Sequence, residues 1–187
     1  MKGKRFSAQQ NRDAPEFGER RKKQAPARLP RVLATGALMV TALAVAPSAD
    51  AQALAAARTV YDDVVNLTNA ERQKVGCPPL TPVAELGRAA QAHSEDMAAH
   101  DVMKHEGSDG STMRTRVERS GYTGWRGLAE NVAAGYQSAE AVVTAWMSSS
   151  SHRANIVNCQ LKDVGVGYAT NPNSAYGSFW TQDLGIR

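Results

Sequence analysis

Two amphipathic helical segments followed by two strand-like runs most constrain what this chain can fold into. From Thr59 to Lys74, Val60, Val64, Leu67 and Ala70–Glu71 recur every three or four residues, the spacing of one helix face. Gly76 is a fitting stop, and Pro78-Pro79 prevents continuation. A second helix is predicted from about Val83 to His100, with Leu86, Ala89, Ala90, His93 and Met97 on one stripe. Near the other end, Val164–Thr170 and Ser178–Leu184 read as strands joined by a turn at Asn171-Pro172-Asn173-Ser174, a hairpin. Helices with a small antiparallel sheet make an α+β chain built in layers.

The segments between are shorter. Gly107-Ser108-Asp109-Gly110-Ser111 is a loop whose Ser or Asp is expected to cap a helix reaching about Arg119 and ending at Gly121. Leu128–Ala133 is a short strand or extended segment. Ser138-Ala139-Glu140 opens a third long helix with Val142, Val143, Trp146 and Met147 on its apolar side. It is expected to stop near Ser149, where four serines compete for backbone hydrogen bonds, with one more turn at His152–Val157.

The first 51 residues carry a different signal. Arg20-Arg21-Lys22-Lys23, Arg28 and Arg31 form a positive region ahead of an apolar run from Val32 to Ala46. Ala49-Asp50-Ala51 then places small residues before a cleavage point after Ala51. The run falls short of the roughly 20 residues that a spanning helix needs, and Pro47 ends it. Residues 1–51 are therefore expected to be a signal peptide, 52–60 an alanine-rich lead-in, and 61–187 one domain, secreted without a transmembrane anchor.

Charge supports that division. Ten of the 22 Lys/Arg and four of the 18 Asp/Glu lie in residues 1–51, leaving 12 basic and 14 acidic residues, a net of −2. The basic pI belongs to the leader, and a nucleic-acid role for the domain loses its electrostatic support. Two cysteines remain, Cys77 and Cys159. In an exported chain an even count predicts one disulfide.

The residues with chemistry to offer are His105, Glu130, His152 and the serines at 148–151. Two imidazoles and a carboxylate suit a divalent-metal or acid/base site once a fold gathers them. No compact metal signature such as His-Glu-x-x-His is present. His93 lies on the apolar helix face and reads as a core histidine bonded to backbone.

Several ordered pieces carry a family resemblance: Asn69-Ala70-Glu71-Arg72, His93-Ser94-Glu95-Asp96-Met97-Ala98, Lys104-His105, Gly121-Tyr122 and Glu130-Asn131. Trp146-Met147-Ser148-Ser149, His152-Arg153-Ala154-Asn155-Ile156, Gly165-Val166-Gly167 and Trp180-Thr181-Gln182 complete the series. In that order and spacing, from about Val64 to Gly185, the chain resembles the CAP superfamily of cysteine-rich secretory, antigen and pathogenesis-related proteins, in its bacterial secreted branch. The resemblance implies a three-layer α-β-α sandwich with a cleft holding two histidines and two glutamates. His105, Glu130 and His152 match three of those positions; Ser149 stands where the second glutamate is expected.

The resemblance further implies a monomeric extracellular binding module. Its ligand would be a sterol or other lipid, a peptide or a cell-surface component. The cleft would hold zinc or magnesium weakly through His105 and His152, with Glu130 as the supporting group. The alternative is a hydrolase, metal-dependent or using Ser149, His152 and Glu130. Tyr122, Trp125 and Tyr176 are offered by their loops as aromatics for ligand contacts, with ordinary loop anchoring the preferred reading. Trp146, Arg153, Asn155 and Gln182 are expected as scaffold.

Overall fold

A computed structural model of the chain describes residues 49–187, with side chains from Val60 onward. The expected signal peptide lies outside the described residues except for Ala49–Ala51. Helix α1 (Ala49–Lys74) starts earlier than the periodicity indicates. Its first turns run through the alanine-rich lead-in, and alanine favours helix without needing an apolar stripe. The chain then turns at Gly76, whose φ of +77° is the left-handed conformation that glycine adopts at helix ends.

Strand β1 (Thr81–Pro82) precedes α2 (Ala84–His100). Helix α3 (Met113–Arg119) is capped by Thr112, whose hydroxyl accepts the Thr115 amide, rather than by a residue of the 107–111 loop. There Asp109 instead turns the chain by accepting from the Ser111 amide. Strand β2 (Gly127–Ala134) leads to α4 (Ala139–Ser148), capped by Ser138 as the sequence indicates. Helix α4 stops at the serine cluster as expected, and Ser149 separates it from a second helix, α5 (Ser150–Ile156), which begins two residues ahead of the expected turn at His152–Val157. Strands β3 (Asp163–Thr170) and β4 (Ser178–Ile186) form the expected hairpin.

The sheet has the order β1-β3-β4-β2. Both β3 and β2 pair antiparallel with β4, and the two-residue β1 adds a parallel edge to β3. Helices α2 and α3 cover one face, and α1, α4 and α5 the other: the three-layer α-β-α sandwich. The central strand β4 is buried along both faces. Trp180 and Leu184 join Val64, Val142 and Trp146 in the core beneath α1 and α4, whereas Phe179 packs with Met97 under α2. Because side chains alternate along a strand, Thr181 and Asp183 also face the α2 layer, where Ser94 Oγ donates to Thr181 Oγ1 at 2.9 Å.

Cys77 and Cys159 are joined, 82 residues apart. Closing a loop of that length contributes on the order of 4 kcal/mol by the chain-entropy argument. Arg72 cross-links the same junction. Its buried guanidinium donates to the carbonyls of Pro78 (2.9 Å), Ile156 (2.8 Å), Asn158 (2.9 Å) and Leu161 (3.0 Å).

Tyr122 is a loop anchor rather than an exposed contact. It is fully buried against Gly185, and its hydroxyl donates to Asp163 Oδ2 at 2.6 Å. Trp125 is half-buried beneath Arg114, and only Tyr176 is exposed.

Candidate functional site

The site forms at the free edge of the sheet, where β2 brings the two helical layers together. Glu130 on β2 points into the α2–α3 layer with its side chain only 3% exposed. Its Oε1 accepts from His105 Nδ1 at 2.8 Å and its Oε2 from Arg116 Nη2 at 2.6 Å. Arg116, on α3, is buried as well, so this is an ion pair shielded from water.

The backbone carrying His105 is held from two sides. Arg116 Nη2 donates to the His105 carbonyl at 3.0 Å, and His93 Nε2 lies 2.9 Å from the Lys104 carbonyl. His93 is thus the backbone-bonded core histidine that the sequence suggests. The His105 side chain remains 60% exposed. With Nδ1–H directed at the carboxylate, its Nε2 is left for solvent or a ligand.

His152 comes from α5 in the opposite layer. A chain of amides fixes that helix: Asn155 Nδ2 donates to Asn131 Oδ1 at 2.9 Å and to the Glu130 carbonyl at 3.3 Å. Asn131 Nδ2 donates to Gln182 Oε1 at 2.9 Å and to the His152 carbonyl at 3.3 Å, while Gln182 Nε2 reaches Thr68 Oγ1 at 2.9 Å. Asn155 and Gln182 are scaffold in this concrete sense. Trp146 is too, through Nε1 to the Val132 carbonyl. Arg153 is exposed and forms no ion pair among the described residues.

Electrostatics separate the two imidazoles. The hydrogen bond to Glu130 raises His105 above its ordinary pKa despite partial burial. His152 is lowered, first by burial and then by the charge of His105. Burial works against ionisation of Glu130, but the bonds and charges of His105 and Arg116 outweigh it and hold the carboxyl below its usual range.

The hydroxyl cluster stands apart from this network. Ser149 Oγ lies 3.3 Å from Ser151 Oγ, and no hydrogen bond among the described residues joins it to the His152 ring. Both oxygens of Glu130 are taken by His105 and Arg116. The structure therefore bonds His105 to Glu130 and holds the His152 backbone through the neighbouring Asn131, without linking Ser149 to either.

Residues 65–184 match the family model of the cysteine-rich secretory proteins, CAP. The chain belongs to this family. A protein of Bacillus subtilis described as uncharacterized, YkwD, is 39% identical over 121 residues, covering 65% of this chain and 45% of the relative. The B. subtilis membrane protein YlbC, also described as uncharacterized, is 30% identical over 109 residues, covering 58% of this chain and 31% of its own length. The chain thus spans less than half of either relative. Among solved structures, an extracellular SCP-domain protein of Bacillus anthracis aligns with a TM-score of 0.65 at 24% identity, covering 76% of this chain and 45% of the other. An outer surface protein of Borrelia burgdorferi aligns at 0.58 and 19% identity, covering 70% of this chain and 91% of the other. At those identities the likeness establishes the CAP fold.

Two residues near Glu130 carry weight that spacing does not reveal. Arg116 is one of three arginines in or ending α3, and nothing in Met113–Arg119 marks it as the buried one. Asp183 lies directly across from Glu130 in the β2–β4 register and is fully buried, with neither carboxyl oxygen bonded among the described residues. Burial, and then the charge of Glu130, push its pKa well above the carboxylate range.

Glu130→Gln tests the network. His105 has a raised folded pKa, so its contribution to stability is fully present below about pH 6.5 and is lost as pH rises through the folded value. In Glu130→Gln the His105 midpoint, read by NMR titration of its ring proton, should fall. The parent's loss of stability over that rise should disappear. Leaving Arg116 buried without its anion should cost about 3 kcal/mol at pH 6. An unchanged His105 midpoint would refute the assignment of Glu130 as its partner.

Proposed function

We propose that this CAP protein is an extracellular binding module, exported by the segment ending near Ala51, whose His105–His152 cleft engages its ligand without turnover. The observation that carries this reading is the orientation of His105. Glu130 and Arg116 lock the inner nitrogen, leaving the rest of the imidazole exposed. The disulfide supports an oxidising location. So do two structural relatives, one an extracellular protein and the other an outer surface protein. No helix among the described residues is long and apolar enough to cross a membrane. The ligand classes are those that the family resemblance implies: a sterol or other lipid, a peptide or a cell-surface component.

A divalent cation fits the donor set only in a limited way. His152, with its lowered pKa, offers a neutral imidazole at pH 7, and His105 offers Nε2 once deprotonated. Glu130 has both oxygens occupied and would support rather than ligate. Among the described residues no group of three or more His, Cys, Asp or Glu side chains is gathered as a metal site. Two imidazoles would hold zinc or magnesium weakly, with open coordination positions. When bound, such an ion would supply Lewis acidity or a polarised water. The hydrolase alternative using Glu130, Ser149 and His152 is less favoured, since the Ser149 hydroxyl is turned to Ser151.

Zinc titration by calorimetry on the parent, His105→Ala and His152→Ala tests this reading. Saturable, micromolar-or-weaker binding in the parent that both variants lose is expected. Binding that survives either substitution would remove the two histidines as a metal-capable pair.

A further inference from the structure

A cavity of about 510 Å³ opens between α2, the 107–111 loop and α3, and neither His105 nor His152 lines it. Ala89 and Ala92 provide an apolar wall, and Arg88, Arg116 and Arg119 approach with Asp96 and Asp109. The two acids are committed. Asp96 accepts from the amide and hydroxyl of Ser108, and Asp109 accepts from the Ser111 amide and from Arg119 Nη1 at 2.9 Å.

The arginines are not equally committed. Arg88 donates from Nη2 to the Ser120 carbonyl at 2.8 Å and forms no ion pair among the described residues. Arg119 is paired only with Asp109, at an exposed position where such a pair is worth little and opens readily. The buried Nε of Arg116 has no partner among the described residues, while its Nη1 and Nη2 donate to the Ser111 and His105 carbonyls and to Glu130. Glu130 neutralises Arg116 and Asp109 pairs with Arg119, which leaves Arg88 as the lining guanidinium without an ion pair among the described residues. It borders a partly apolar space whose volume lies within the range of small-molecule sites.

We propose that this cavity is a second binding site, taking a small molecule with a single carboxylate on an apolar body. The carboxylate meets the Arg88 guanidinium, with Arg119 swinging from Asp109 to join it, because a planar fork matches a carboxylate better than a point charge does. The apolar body rests on Ala89 and Ala92. A phosphate dianion is disfavoured, since one unpaired guanidinium does not offset two negative charges beside Asp96 and Asp109. Arg116 belongs to both places, lining this cavity while holding Glu130 of the histidine cleft.

The test uses 3-phenylpropanoate as the probe and 3-phenylpropanamide as its uncharged control, titrated into the full chain and followed by amide shifts in ¹H–¹⁵N spectra. Saturable shifts at Ala89, Ala92, Ser111 and Ser120 are expected, with the amide at least about tenfold weaker. Arg88→Gln, a substitution at an exposed position, should weaken the acid about tenfold. His105→Ala should leave its affinity unchanged, which separates this site from the histidine cleft. The proposal is overturned if no shift saturates, if acid and amide bind alike, if Arg88→Gln has no effect, or if the shifts centre on His105 and His152.

Discussion

Arg72→Ala should destabilise the protein by at least about 4 kcal/mol, a large share of the roughly 5–15 kcal/mol that holds a typical domain folded. The guanidinium is wholly buried and has no carboxylate partner within the described residues; its charge is balanced by four backbone carbonyls. Removing it takes the donor from all four carbonyls and loses the side chain's packing; those of Ile156 and Leu161 are bonded in the buried interior, where each unsatisfied acceptor costs about 1–3 kcal/mol. Arg72→Lys should recover less than half of the loss, because one ammonium cannot span acceptors on residues 78 and 156–161. Urea unfolding with the disulfide intact reads the effect directly. A penalty below about 1 kcal/mol in the alanine variant would show that water or the Cys77–Cys159 bond does the work assigned to this side chain.

Gly167→Ala is expected to be still more disruptive and to abolish cooperative folding. A methyl group there would lie 2.2 Å from the Ala90 carbonyl oxygen and 2.3–2.5 Å from the neighbouring backbone atoms of α2. Gly165 meets Leu86 and Gly87 in the same way at 2.1–2.5 Å. No rotamer relieves a clash with backbone, so α2 itself would have to lift from β3. Overpacking a core commonly costs about 1–3 kcal/mol, and displacing a whole helix exceeds that. Gly87→Ala is the control: a Cβ there meets nothing within 4 Å, and alanine gains about 0.5–1 kcal/mol over glycine inside a helix. Circular dichroism melts should show no transition for Gly167→Ala and a raised midpoint for Gly87→Ala. A normal melt for Gly167→Ala would mean that the α2–β3 approach is looser than described.

These two glycines also show how far the sequence can be read. Gly165-Val166-Gly167 is recognisable as part of a family pattern and as strand, but nothing in it announces that both glycines face a helix at backbone contact. Periodicity finds α2 and α4 because each buries a regular stripe, and the hairpin shows as two strand-like runs around a turn. It misses β1, whose two residues are too few for a pattern, and the start of α5, whose serines resemble a break. His105, Glu130 and His152 are readable from the ordered motifs. Their grouping rests on residues that are not: Arg116 looks like its surface neighbours Arg114 and Arg119, and Asp183 lies in a strand buried on both faces. Alternation there does not separate inside from outside. The Tyr122 side chain follows the same lesson, since a loop position near two glycines does not show that Asp163 and Gly185 hold it inside.

The strand order has a consequence for the timing of assembly. β4 occupies the middle of the sheet, yet it follows every other described element in the chain. Until Ser178–Ile186 is in place, β2 and β3 have no common neighbour, and α2 on one side and α4 on the other cover a sheet without a centre. The carboxyl of Asp183 and the amide of Gln182 arrive with that strand, so the Glu130 cluster and the amide relay beneath His152 are completed in the same event. A chain emerging from its amino end can form helices early, but both the layered core and the cleft wait for the last strand to insert, a step dominated by distant contacts and hence slow. Partly emerged chains therefore carry His105 and His152 without a site between them.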